Sequence, residues 1–314
     1  MSALYPFLLR PEFVERPWGG RDLSPIYPTH RCEEPVGEVW LTGDENRVAN
    51  GPLAGRTLGE LCREYGRALV GESARETERF PLLIKFLFPR EKLSVQVHPD
   101  DEAARRVGQP CGKTECWYVL QADPGAQVAL GLNPGVTRQH LERAIREVRA
   151  ERLLNWIDIH AGEMLYVDAG TVHTIGPGSI LVETQQNSDT TYRLYDYGRP
   201  RDIHVEQGLA ATKERTRAGK VRRDGATLVA SSCFRVEKFS ITETRCFEAS
   251  QSPQIFVVLS GSGAAEGASP ASLGRGDALV VPADVMQVRI RPTDGLEMLR
   301  MTLPEDPGST GIKS

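Results

Sequence analysis

Four residues from three separate stretches carry donor atoms suited to one cation: Gln96 and His98 in LSVQVHPD, Glu115 in GKTECWY, and His173 in DAGTVHTI. Two imidazoles, one carboxylate and one neutral amide form an N2O2 set that holds zinc and would also accept manganese, iron or cobalt. With a divalent ion and a single carboxylate, the site keeps a charge of about +1. Such a site polarises hydroxyl and carbonyl oxygens and stabilises the oxyanion formed when a proton leaves carbon.

Strand geometry makes the grouping plausible in space. Side chains alternate along a strand, so Ser94, Gln96 and His98 share one face while Leu93, Val95 and Val97 share the other. Lys113, Glu115 and Trp117 repeat the pattern. A polar face that merely meets water is the plain alternative. The i, i+2 donor pair and the HPDD turn that closes the strand argue for the metal. Of the six histidines, His98 and His173 sit inside ligand-like frames; His140 falls on a predicted helix, and His30 and His160 have no ligand-like neighbours.

Short apolar runs separated by Pro, Gly, Asp and Asn dominate residues 81–178: PLLIKFLF, LSVQVH, CWYVLQ, AQVALGL and EMLYVDAG. Their spacing predicts a β-sandwich or small barrel. Before them, GEVWLTG reads as a strand and TLGELCREYGRALVG as a short helix on Leu58, Leu61 and Leu69. Thr137 is placed to cap a helix through RQHLERAIREVRAERLLNWI, with Leu141, Ile145, Val148 and Leu153 at helical intervals. A second strand-rich stretch runs from Thr227 to Leu303, and the basic run ATKERTRAGKVRRDG before it reads as a solvated connection.

At 314 residues, with ordinary hydrophobic and charged content, the chain has material for two cores. A net charge of −4 and no aromatics among the basic residues of that run argue against a nucleic-acid partner. No apolar run reaches membrane-spanning length and the N-terminus lacks an export signal. Six scattered cysteines without a CxxC pair predict reduced thiols in a cytoplasmic protein.

GEMLYVDAGTVH (G-x5-D-x-G-x2-H) and GDALVVPADVMQ (G-x5-P-x-D-x2-Q) share one frame: a glycine turn, an apolar strand, a tight turn and an inward-pointing residue. This resembles the second half-motif of the cupin jelly roll. The expected architecture is therefore mainly β: two cupin-like jelly-roll barrels with short helices between strands. Residues 1–220 would form the metal-binding catalytic unit, and 221–314 a second barrel without metal, where Gln287 replaces the histidine.

QVHPDD, GKTE, AGTVHTIGPG and ETQQNSDTTYRLYDYGR, in this order, resemble the type I mannose-6-phosphate isomerases in their short bacterial form. RPWGG, GEVW and NGPLAGRTLGEL add to the likeness, which runs from about residue 5 to residue 210 and more loosely beyond. The resemblance implies Zn2+, one ion per chain, on Gln96, His98, Glu115 and His173. It also implies reversible conversion of mannose 6-phosphate to fructose 6-phosphate through an enediol. A sugar phosphate is then the partner, and the chain a monomer or weak homodimer.

The resemblance further places Arg193 in the active site and Ser94, Lys113 and Arg199 on the phosphate. Surface ion pairs with Asp189 or Asp196 are the plainer reading of Arg193 and Arg199. Glu183, Asp189, Lys113 and a metal-bound hydroxide all remain open as carriers of the proton. Trp18, as a sugar-stacking face, and Glu38 are placed at the pocket, against a reading as core residues. Asp168 stands where relatives commonly have proline, and its side chain is expected to support the same turn. The alternatives are a phosphosugar isomerase of broader range and a sugar-phosphate-binding cupin without catalysis.

Overall fold

The computed structural model describes residues 4–267 and 269–304. Among them, strands pair into three sheets, all antiparallel, and no sheet closes into a barrel. The expectation of a mainly β chain holds, with open sheets in place of closed barrels.

Two sheets face each other in the first half. The five-stranded one runs in the order Tyr192–Tyr195, Val95–Val97, His173–Ile175, Gln127–Leu132, Leu154–Asp158. The seven-stranded one runs Gly219–Lys220, Met164–Val167, Glu115–Ala122, Ser179–Gln186, Leu82–Leu87, Val36–Trp40, Glu12–Gly20. Between them pack Trp18, Leu87, Leu93, Trp117, Val119, Val128, Leu130, Val167, Ile175 and Leu181. The Leu82–Leu87 and Ser179–Gln186 strands are buried along their whole length, since their other face is covered too. There, Ile84, Phe86, Ile180 and Val182 pack with Val236, Ile255, Val257, Val280, Leu299 and Met301 from the second half.

The third sheet belongs mainly to that second half. Its order is Phe7–Leu9, Ala278–Val281, Gln254–Glu266, Gln287–Thr302, Arg235–Ile241, Thr227–Ala230. The two long central strands shift register between Val258 and Ser260 and between Gly261 and Gly263. Gly261 has φ +80°, and a Cβ there would lie 2.0 Å from the Gly295 carbonyl oxygen, so no other residue fits this bend. The opposite face packs Phe239, Phe247, Phe256, Val258, Leu279 and Met298.

Residues expected to belong to a 1–220 unit cross into this sheet. Phe7 pairs with Val280, and Leu9 with Ala278. The two halves thus share one core around Phe7, which is fully buried. Phe7→Ala is expected to cost about 3–5 kcal/mol, read as a shift in the denaturant midpoint. A midpoint moved by less than a tenth of that would show that this strand does not tie the halves together. Residues 305–314 of the expected 221–314 unit lie outside the described residues.

Several local expectations need correction. The helix capped by Thr137 ends at Arg146; Val148 is left-handed (φ 56°) and exposed, and Leu154–Asp158 is a strand on Gln127–Leu132. Apolar spacing there was shared by two periods, and pairing with an open sheet edge decided between them. Gly66, at φ +48°, splits the first helix into Leu58–Tyr65 and Arg67–Val70. Gln287 is exposed and Val288 points inward. Within the basic run, mostly exposed, Gly219–Lys220 adds an edge strand opposite Leu165–Tyr166.

Candidate metal centre and cavity

Sheet register sets the donors in rows. Gln96 lies directly opposite His173 on one side and Arg193 on the other, so three strands present them side by side. In the facing sheet, Glu183 stands between Lys85 and Trp117, while Glu115 opens its strand opposite Gln185 and Val167. Glycine brings the remaining pieces together. A Cβ at Gly112 would lie 2.5–2.7 Å from backbone atoms of Pro99, Asp100 and Asp101, so the Gly112–Lys113 segment packs flat on the HPDD turn. Lys113 N–H donates to the Pro99 carbonyl at 3.0 Å, which carries its side chain to His98.

Ligand atoms of His98, Glu115 and His173, all buried, lie within 4.8 Å of one another. His98 Nε2 is 3.6 Å from Glu115 Oε2, and His173 Nε2 is 3.4 Å from Glu115 Oε1. Each imidazole uses Nδ1–H to donate to a backbone carbonyl: His98 to Thr190 at 3.0 Å, His173 to Thr171 at 2.9 Å. Carbonyls accept only, so the tautomer is fixed and both Nε2 lone pairs point at the centre. Burial holds both rings neutral: it pushes His98 well below the usual range, helped by Lys113, and His173 down to about 4.

Three further observations fit a cation here. Glu115 Oε2 is buried, and among the described residues its near partner is Lys113 Nζ, which meets it as an ion pair at 3.0 Å. The Lys113 ammonium also lies 3.2 Å from His98 Nε2, so a positive group is already drawn to two of the donors. Gln96 places Nε2 3.2 Å from His173 Nε2 and takes the Ser94 hydroxyl on Oε1 at 3.0 Å. Half a turn of that amide exchanges its oxygen and nitrogen and would bring an oxygen toward His173.

Beside the donors, Lys113 Nζ is 3.6 Å from Glu183 Oε1. Against the cost of burial, Glu115 and Glu183 raise the Lys113 ammonium above its ordinary value, so it remains a cation. Burial first, then the neighbouring Glu115 charge, pushes Glu183 up to about 7.

Gln96, Lys113 and Glu115 line a cavity of about 330 Å³, whereas His98 and His173, each 1% exposed, are not part of its lining. Of the expected residues, Trp18, Glu38, Gln96, Lys113, Glu115, Glu183, Asp189 and Arg193 line it. Asp189 is exposed and stands at its mouth. Trp18 lines the cavity and is also a core residue, 3% exposed. Glu38 is saturated: Arg16 contacts both its oxygens at 3.1 Å, Trp40 Nε1 donates at 2.7 Å, and Lys85 lies at 3.5 Å. Although burial opposes ionisation, Lys85 and Arg16 hold its carboxyl down to about 2.

Ser94 and Arg199, expected on the phosphate, are not part of this lining. Ser94 is spent on Gln96, and Arg199 on Asp196, Glu91 and the Lys92 carbonyl. Lys113 sits at the floor among Glu115, Glu183 and His98. Sequence reasoning missed Arg16, Lys85 and Arg201, which do line the cavity. A signal existed for Lys85: a lysine inside the apolar run LLIKFL must find a buried partner. Asp168 makes the turn as expected, accepting from Thr171 Oγ1 at 2.9 Å, and His173 follows in place.

Facing antiparallel sheets that bring two imidazoles and a carboxylate together beside a polar cavity define a cupin with a candidate metal site. A profile described as phosphomannose isomerase type I, catalytic domain, matches residues 7–125. The chain is 35% identical to a mannose-6-phosphate isomerase of Streptococcus mutans, over 88% of this chain and 92% of that protein. It is 40% identical to one of Bacillus subtilis over 65% and 67% of the two chains. A crystal structure of the mannose 6-phosphate isomerase from Bacillus subtilis matches with a TM-score of 0.84 at 33% identity, covering 94% of this chain and 99% of that one. The chain belongs to the type I phosphomannose isomerase family. Among the described residues, no helix is long and apolar enough to cross a membrane.

Proposed function

We propose that this chain interconverts mannose 6-phosphate and fructose 6-phosphate. One observation carries the reading: two neutral imidazoles converge on Glu115, which lines a cavity whose walls present cations and two donors, Trp117 Nε1 and Arg193 Nε, that are buried and without partners among the described residues. Buried donors without acceptors favour a ligand rich in oxygen. The donor set suits zinc, held by Gln96, His98, Glu115 and His173. When bound, a divalent ion lowers the cost of negative charge on the adjacent sugar oxygens.

The chain's own residues supply the rest. Glu183, on the cavity wall beside Lys113, is our candidate to take the proton from carbon 2 and return it to carbon 1. Lys113 faces the same space as a fixed positive charge, which favours the enediolate over the neutral sugar. Asp189, at the mouth, is placed to serve ring opening. Trp18 offers an apolar wall, and Glu38 acts by holding Arg16 and Lys85. A monomer or weak homodimer is the assembly in this reading, and the free thiols fit a cytoplasmic enzyme.

A coupled isomerase assay on the purified protein tests this. Mannose 6-phosphate is expected to turn over, to stop after treatment with a strong chelator, and to resume when zinc is returned. Tight binding of the sugar phosphate without turnover in the metal-loaded protein would sink the proposal.

A further inference from the structure

The turn after the Tyr192–Tyr195 strand sets two guanidiniums, Arg199 and Arg201, on one carboxylate, and a third, Arg193, belongs to the strand itself. Asp196, 2% exposed, accepts from Arg201 through a two-pronged contact, Nε to Oδ2 and Nη2 to Oδ1, both 2.7 Å. Its Oδ1 also accepts from Arg199 Nη1 at 3.0 Å. The backbone of this turn is constrained: Tyr197 has φ 56°, a region that side chains disfavour, and its hydroxyl is tied to Glu151 at 2.9 Å.

The three arginines differ in what they have left to give. Arg199 Nη2 donates to Glu91 and to the Lys92 carbonyl, and its guanidinium lies 5.6 Å from the Tyr197 ring centroid. Both of its terminal nitrogens are engaged, and it does not line the cavity. Arg201 lines the cavity, and among the described residues its Nη1 has no hydrogen-bond partner. Arg193 lines it as well, with Nε buried and unpartnered. Two guanidiniums with free donors thus border one space, and Asp196 offsets a single charge. A dianionic phosphate ester supplies the oxygens and charge that this arrangement lacks.

We propose that Arg201, aimed into the cavity by Asp196, is the residue through which this chain selects a phosphorylated sugar, while Arg199 locks the turn. Asp196 is a positioning residue: it meets the substrate only through Arg201. The inference rests on the sugar-phosphate reading given above.

The test uses the metal-loaded enzyme. Arg201→Gln is expected to raise both the KM for mannose 6-phosphate and the Ki of inorganic phosphate as a competitive inhibitor by about 10- to 100-fold, the worth of hydrogen bonds to a charged partner. The loss should fall on these constants rather than on kcat. Asp196→Asn should move both constants the same way by less, and Arg201→Lys should restore part of the loss. Asp196 is buried and its variant could misfold, so the deciding substitution is the one at Arg201, whose side chain is 20% exposed. Unchanged KM and Ki in Arg201→Gln, or a rise produced by Arg199→Gln instead, would overturn the inference. If the unaltered enzyme turns over no mannose 6-phosphate, the functional reading fails first and separately.

Discussion

His98→Ala is expected to abolish metal retention and to lower kcat/KM by about a thousandfold or more, the several kcal/mol that a bound cation contributes to a developing oxyanion. The imidazole is held ready to bind a cation. Its Nδ1 is tied to the Thr190 carbonyl, its lone pair faces Glu115 at 3.6 Å, and burial keeps it unprotonated. Removing it leaves Glu115 and His173 as too few strong donors. It also frees the Lys113 ammonium, now 3.2 Å from His98 Nε2, to settle on Glu115 and oppose any cation there. Elemental analysis should find well under one ion per chain, with circular dichroism showing the sheets intact. A variant that retained both its ion and its rate would remove His98 from the site.

Lys113→Ala separates the metal from the chemistry beside it. Gln96, His98, Glu115 and His173 all survive, so the ion should remain while kcat falls by about 10²- to 10⁴-fold, the usual worth of a positioned charge or proton-transfer group. The loss has an electrostatic cause. Lys113 is the cation between Glu115, at 3.0 Å, and Glu183, at 3.6 Å. Without it the two carboxylates face each other less compensated, and the proton carrier loses the charge that favours the enediolate. Arginine is not expected to substitute, because its planar fork cannot occupy the space of a compact ammonium between three acceptors. An ion-bearing Lys113→Ala enzyme with an unaltered rate would show that Lys113 is structural.

Much of the centre is readable from local sequence. Donors at i and i+2 on LSVQVH share a face by the pleat alone, and the G-x5-D-x-G-x2-H frame places His173 at the start of a strand through a turn that Asp168 stabilises. Helix starts were equally local. Thr137 caps as its position implies, and Thr57 caps the first helix in the same way, because a cap needs only a side chain and the next three residues. Helix ends were not. RQHLERAIREVRAERLLNWI stops at Arg146, and LNWID joins a sheet edge that lies elsewhere in sequence.

The sequence by itself determined which atoms could bind a cation, that strands carry them, and which charged residues are close in the chain. Periodicity and turn chemistry act over a few residues, and both survive without knowledge of neighbours. Tertiary structure alone decided which cations reach the cavity. Arg199 and Arg201 are two residues apart in one turn, yet competition for Asp196, Glu91 and the Lys92 carbonyl turns one away and leaves the other facing in. It likewise decided that Phe7–Leu9 completes a sheet built from residues more than two hundred positions later. Burial, charge pairing and the unfilled edge of a sheet are properties of the assembled molecule, and no stretch of the chain states them alone.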